Sequence, residues 1–247
     1  MLFSILEDGD LQSALISLLL ILPMMALALS AHEAAHGWMA YKCGDPTAYL
    51  MGRLTLNPLK HLDPLGFLFL LIFGYGWAKP VRIDARNFRN PRRGMALTGA
   101  AGPGANLILG LLCAVLGGFF YALYYCRVVT TVSTASITDP GFLTNCMYWL
   151  YNMFVNGAMI NFLFMVFNLI PVPPFDGSRI AFVFLPNKLY FGIMKYERQI
   201  MMGMLIALLV LSRFGISPFG WIASKLTVGI LEPVSNLFFK LLLPAFT

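Results

Sequence analysis

LALSAHEAAHGWMAYKCGD, residues 27–45, decides how this chain is read, because it sets His32, Glu33 and His36 inside an otherwise apolar helix. On an α-helix His32 and His36 stand one turn apart and project from one face, so their imidazoles can share an ion. Glu33 lies about 100° round the helix from His32, near enough to reach a water on that ion without being a ligand. A carboxylate buried in a bilayer costs on the order of 2.5 kcal/mol or more, so one is kept where a partner or a function holds it.

The rest of the chain sets that helix in a membrane. Of 247 residues, 59% are hydrophobic and 11% charged, and the mean hydropathy is +0.75, values that exclude an ordinary soluble domain. Apolar runs predict spans over residues 11–41, 95–125, 147–169, 199–212 and 218–243. Residues 47–58 and 79–83 are short and alternating and predict strands. Residues 62–78 are apolar but broken by Pro64, Gly66, Gly74 and Gly76, and predict a re-entrant or interfacial hairpin. The expected fold is therefore all-α and polytopic, with about five to six transmembrane helices and a small membrane-associated β-strand and re-entrant hairpin region after the first helix. It forms a single membrane-embedded domain over residues 1–247, with a core at 10–190 and additional C-terminal spans at 191–247.

Lysine and arginine placement predicts orientation. Nine of the 17 lie between Lys42 and Arg93 and four between Arg179 and Arg198, whereas the segment 126–146 holds only Arg127. By the positive-inside rule the N-terminus and the 126–146 loop lie outside, and the basic segments face the cytosol. The net charge of +6 is thus a topology signal. The basic residues are not interleaved with aromatics on an exposed face, so no nucleic-acid partner is expected. The acidic N-terminus (Glu7, Asp8, Asp10) lacks the basic start of a cleavable signal peptide, so the first helix is expected to stay. Cys126 and Cys146 bracket the polar segment and either pair or stand as unrelated thiols.

A catalytic zinc site needs three protein ligands and an open position. Of the eleven acidic residues, only Glu33 and Asp176 fall in apolar segments at membrane depth. Asp176 follows Pro171, Pro173 and Pro174, which must break the helix, and precedes Gly177, which permits a tight turn. Broken backbone at that depth is tolerated where it lines a cavity, so the segment reads as built to present Asp176. His32 is ten residues before Lys42 and Asp176 twelve before Lys188, so both fall toward the cytosolic side. His61, in the basic loop KHLDP, reads as a solvated histidine or a headgroup contact and is left outside the site.

HEAAH with Ala40 in the first helix, followed by NLIPVPPFDG at 168–177, resembles the site-2 proteases, a family of intramembrane zinc metalloproteases. The resemblance extends to a GPxAN-like start of the next span (Gly102, Pro103, Asn106) and covers roughly residues 10–190. Phe175 stands where leucine is usual. Nothing resembling a PDZ or CBS domain is present, so the chain looks like a minimal member. The resemblance implies one zinc ion per chain held by His32, His36 and Asp176, with Glu33 as the general base. It implies a catalytic role for Asn168, steadying substrate or oxyanion, beside the alternative of an inter-helix hydrogen bond; Asn106 reads as a packing residue. The implied substrate is a single-span membrane protein cut near the cytosolic face, and the implied location a bacterial inner or plasma membrane. A metal transporter and a catalytically idle chaperone or tether are the rival readings. The near-apolar outer halves of the spans disfavour the first, and the presence of Glu33 disfavours the second.

Overall fold

The structure, a computed structural model, describes residues 11–66, 79–134, 141–186, 189, 192–193, 195–214 and 218–246. Helix α1 (Leu11–Cys43) carries the histidine pair. Two single-turn helices follow, α2 (Thr47–Leu50) and α3 (Pro58–His61). Then come α4 (Pro91–Thr134), α5 (Gly141–Asn168), the short α6 (Asp176–Ala181), α7 (Glu197–Arg213) and α8 (Pro218–Phe246).

Among the described residues four helices are long and apolar enough to cross a membrane, namely α1, α4, α5 and α8. The chain is an integral membrane protein. The expected span at 199–212 does form a helix, but its 17 residues reach only about 25 Å, short of a hydrocarbon core about 30 Å thick. The polar segment expected as a loop from 126 to 146 is helical up to Thr134 and again from Gly141.

The strand expectation for 47–58 is corrected. The alternating apolar residues there run from one helical turn through an irregular connection to the start of a second turn, and form no pleat. Asp45 Oδ1 accepts both the Thr47 N–H and its hydroxyl at the start of α2, and Asn57 caps α3 by accepting the Leu59 N–H, with Pro58 in the first turn. Start signals of this kind outweigh a weak alternating pattern. The outward leucines Leu50, at 76%, and Leu56, at 58% exposed, contributed to that pattern. Residues 79–84 are irregular and join no sheet among the described residues. Their inward N–H groups go instead to His61 O from Lys79, to Glu33 from Val81 and to Asp45 from Asp84. Most of the expected re-entrant hairpin, 67–78, lies outside the described residues.

Helix α4 is the spine: α1, α5 and α8 all pack along it, and α5 also contacts α1 and α8. In lipid the apolar effect does not drive helices together, so close packing of small residues does. A Cβ built on Gly110 meets the Phe162 ring of α5 at 2.8 Å, and one on Gly118 meets Val234 of α8 at 2.7 Å. Met24, Cys113, Ala114, Ala158, Phe162 and Ala223 form the resulting core, while side chains such as Ile108, Leu112, Trp221 and Leu237 point outward. No disulfide bond joins Cys126 to Cys146.

Candidate metal centre

Helix α5 ends at Asn168, and the proline segment turns the chain back through Phe175 N–H to Val172 O and Ser178 N–H to Phe175 O. This turn starts α6 at Asp176 and drives it against α4. The contact is close, since a Cβ on Gly99 would lie 2.9 Å from Asp176 O, and the turn itself is tight, since one on Gly177 would lie 2.5 Å from Ile170 O. Glycine at both positions is what lets the carboxylate approach α1.

His32, His36 and Asp176 come together as a buried cluster. Asp176 Oδ2 is 3.0 Å from His32 Nε2 and 3.0 Å from His36 Nε2, and the two Nε2 atoms are 2.9 Å apart. The far side of each ring settles what those atoms carry. His36 Nδ1 is 2.7 Å from the Thr98 backbone carbonyl, which can only accept, so the proton is on Nδ1. His32 Nδ1 is 2.6 Å from Asn106 Oδ1. The Asn106 amide nitrogen donates to Ala28 O at 3.2 Å and to Asn161 Oδ1 at 2.9 Å, so its oxygen faces His32 and the proton is again on Nδ1. With Nδ1 carrying the proton on each neutral ring, the two Nε2 lone pairs and the carboxylate converge on one point.

Three acceptors at such range repel unless a cation lies between them, and a set of two histidines and one carboxylate suits zinc. The donors therefore fit a metal, and both histidines are oriented through their far nitrogens as metal-binding histidines are. Gly102 completes the pocket: a Cβ there would lie 2.5 Å from His36 Nε2 and 2.6 Å from His32 Cε1.

Glu33 is half-buried on the neighbouring face of α1, with Oε2 accepting the Val81 N–H at 2.8 Å. Asn168 gives one amide hydrogen to Phe164 O of its own helix at 3.0 Å. Arg179 brings Nη1 to 4.0 Å from Asp176 Oδ1. His61 is not a solvated histidine: it is fully buried, with Nε2 on Thr55 O at 2.8 Å and no partner for Nδ1 among the described residues. Asn106 is no mere packing residue, since it holds His32. Asn161 and the Thr98 carbonyl escaped the sequence reading altogether. The signal for Asn161 was available, since a buried amide at membrane depth needs partners for the same reason that Glu33 does.

The chain is similar to proteins named as zinc metalloproteases. "Putative zinc metalloprotease YwhC" of Bacillus subtilis is 38% identical over 156 residues, covering 63% of this chain and 64% of that protein. "Putative zinc metalloprotease Rip2" of Mycolicibacterium smegmatis is 27% identical over 164 residues, 64% of this chain and 54% of that protein. Its Mycobacterium tuberculosis counterpart is 27% identical over 157 residues, 61% of this chain and 51% of that protein. The chain thus spans between half and two thirds of the length of these relatives. No solved structure matches. Peptidase family M50 matches residues 20–212, which is most of the chain and includes both halves of the cluster. The chain belongs to peptidase family M50, the site-2 protease family.

Proposed function

We propose that this protein is an intramembrane zinc endopeptidase that hydrolyses a peptide bond within or near the transmembrane segment of a single-span membrane protein. The observation that carries the reading is the convergence of two imidazole lone pairs and one carboxylate at 2.9–3.0 Å inside a membrane bundle. His32, His36 and Asp176 hold the metal. Zinc bound there supplies Lewis acidity toward water and toward a peptide carbonyl. Glu33 is the general base. One of its oxygens is held on the Val81 N–H, which orients the carboxylate and leaves the other to take the proton of the attacking water and return it to the leaving amine. Asn168 keeps a second amide hydrogen for substrate beyond the one given to Phe164 O.

A helical peptide bond is shielded by its own hydrogen bonds, so the substrate has to be extended locally. The segment 79–84 lies on Glu33 with Val81 inward and Pro80 and Arg82 outward, beside the place where such a segment has to lie. The positive-inside rule supports a cut near the cytosolic face with the N-terminus outside, and the bacterial sources of the relatives support a bacterial inner or plasma membrane.

The test is zinc content and cleavage of a panel of single-span substrates by purified wild type, Glu33→Gln and Asp176→Asn. Zinc in wild type and Glu33→Gln, cleavage only in wild type, and weakened metal in Asp176→Asn are expected. Undiminished cleavage by Glu33→Gln removes the base, and full zinc in Asp176→Asn removes the ligand.

A further inference from the structure

The two histidines are oriented by different kinds of group. His36 Nδ1 meets a backbone carbonyl, Thr98 O, which cannot turn round. His32 Nδ1 meets a side-chain amide, Asn106, which can. If that amide rotated by 180°, its amino group would face Nδ1. The His32 proton would then shift to Nε2, and the lone pair aimed at Asp176 would be lost. Something has to hold the amide in one orientation.

We infer that Asn161 is a positioning residue that fixes the tautomer of His32 through Asn106, an inference that rests on the zinc reading above. Asn161 Nδ2 donates to the Gly157 carbonyl at 2.8 Å, one turn back on α5. A backbone carbonyl only accepts, so Asn161 Oδ1 is forced toward Asn106, where it accepts the amide hydrogen at 2.9 Å. The remaining Asn106 hydrogen goes to Ala28 O at a longer 3.2 Å. The relay therefore begins at a carbonyl of α5, crosses α4 and ends at the metal-facing nitrogen of α1. Every side chain in it is buried: Asn106 and Asn161 are wholly enclosed and His32 nearly so. Inside a membrane protein no bulk water is at hand to replace a lost partner, so the direction of each bond is dictated by the one before it.

The test is zinc affinity, measured by chelator competition on the purified full-length protein. Asn161→Leu keeps the branched shape but removes the acceptor, and Asn161→Ala removes both. Both are expected to bind zinc about tenfold or more weakly, the usual loss when the partner that orients a ligand is removed. Asn161→Asp keeps an acceptor oxygen for Asn106 and is expected to retain most of the affinity. Asn106→Asp has no amide to turn, so adding Asn161→Ala to it is expected to cause no further loss. Wild-type affinity in Asn161→Leu and Asn161→Ala overturns the inference. So does an equal loss with and without Asn106→Asp, which would mark Asn161 as packing alone. Failure of the wild type itself to bind zinc refutes the underlying reading instead.

Discussion

Replacing Gly102 by alanine tests whether the close approach of α4 shapes the metal centre. A Cβ at Gly102 falls 2.5 Å from His36 Nε2 and 2.6 Å from both His32 Cε1 and His36 Cε1, about 0.9 Å inside the 3.4 Å at which ordinary contact begins. The rings have no slack, since both are buried and their Nδ1 atoms are tied to Asn106 Oδ1 and Thr98 O on the helix that carries Gly102. They must therefore shift by several tenths of an ångström, whereas metal–ligand distances tolerate about 0.2 Å. Overpacking of this kind costs about 1–3 kcal/mol, and drawn wholly from metal binding that is about 5- to 150-fold in the zinc dissociation constant. The control is Gly104→Ala on the same helix, where a Cβ meets nothing within 4 Å. Chelator competition on the two purified variants and wild type, with cleavage measured alongside, reads the effect. If Gly102→Ala binds zinc as tightly as wild type, or if Gly104→Ala loses as much, the close-approach reasoning is wrong.

Asp45 gives a pH test away from the metal. Burial works to raise its carboxyl, but the Thr47 hydroxyl, the Asn87 amide and the N–H groups of Asp84 and Thr47 outweigh it and hold the carboxyl below its ordinary value of 3.8. A folded-state value below the unfolded one adds stability that is present above the unfolded value and lost as pH falls toward the folded one. Asp45→Asn is therefore expected to unfold at lower temperature than wild type at neutral pH, with the gap narrowing once pH drops below about 4. A gap that stays constant down to acid pH contradicts that account. Stripping zinc is expected to lower the melting temperature of wild type, since a ligand at about 1,000 times its dissociation constant stabilises by about 4 kcal/mol. A thermal scan with and without chelator checks this, and Asp176→Asn should show a smaller difference.

The membrane character, the helix bearing His32, Glu33 and His36, and the presentation of Asp176 were legible in the sequence because each is local. An apolar run announces a span, a one-turn spacing puts two imidazoles on one face, and prolines followed by glycine announce a broken helix with a turn. The same local patterns misled at 47–58, where outward leucines on a helical turn and the connection after it imitate a strand, and at His61, whose burial depends on Thr55 and on the chain returning at Lys79.

What the sequence by itself determined is which residues could carry the chemistry; only the tertiary structure decided how they are held. The bonds that orient the histidines join His32 to Asn106, His36 to Thr98 and Asn106 to Asn161, residues 74, 62 and 55 positions apart. No periodicity encodes such pairs. They exist because α4, with glycines at 99, 102 and 110 facing its neighbours, comes close enough to α1, α5 and α6 for side chains and carbonyls on different helices to meet. Hydrogen bonds act over about 3 Å, so a partner is decided by packing distance rather than by place in the chain.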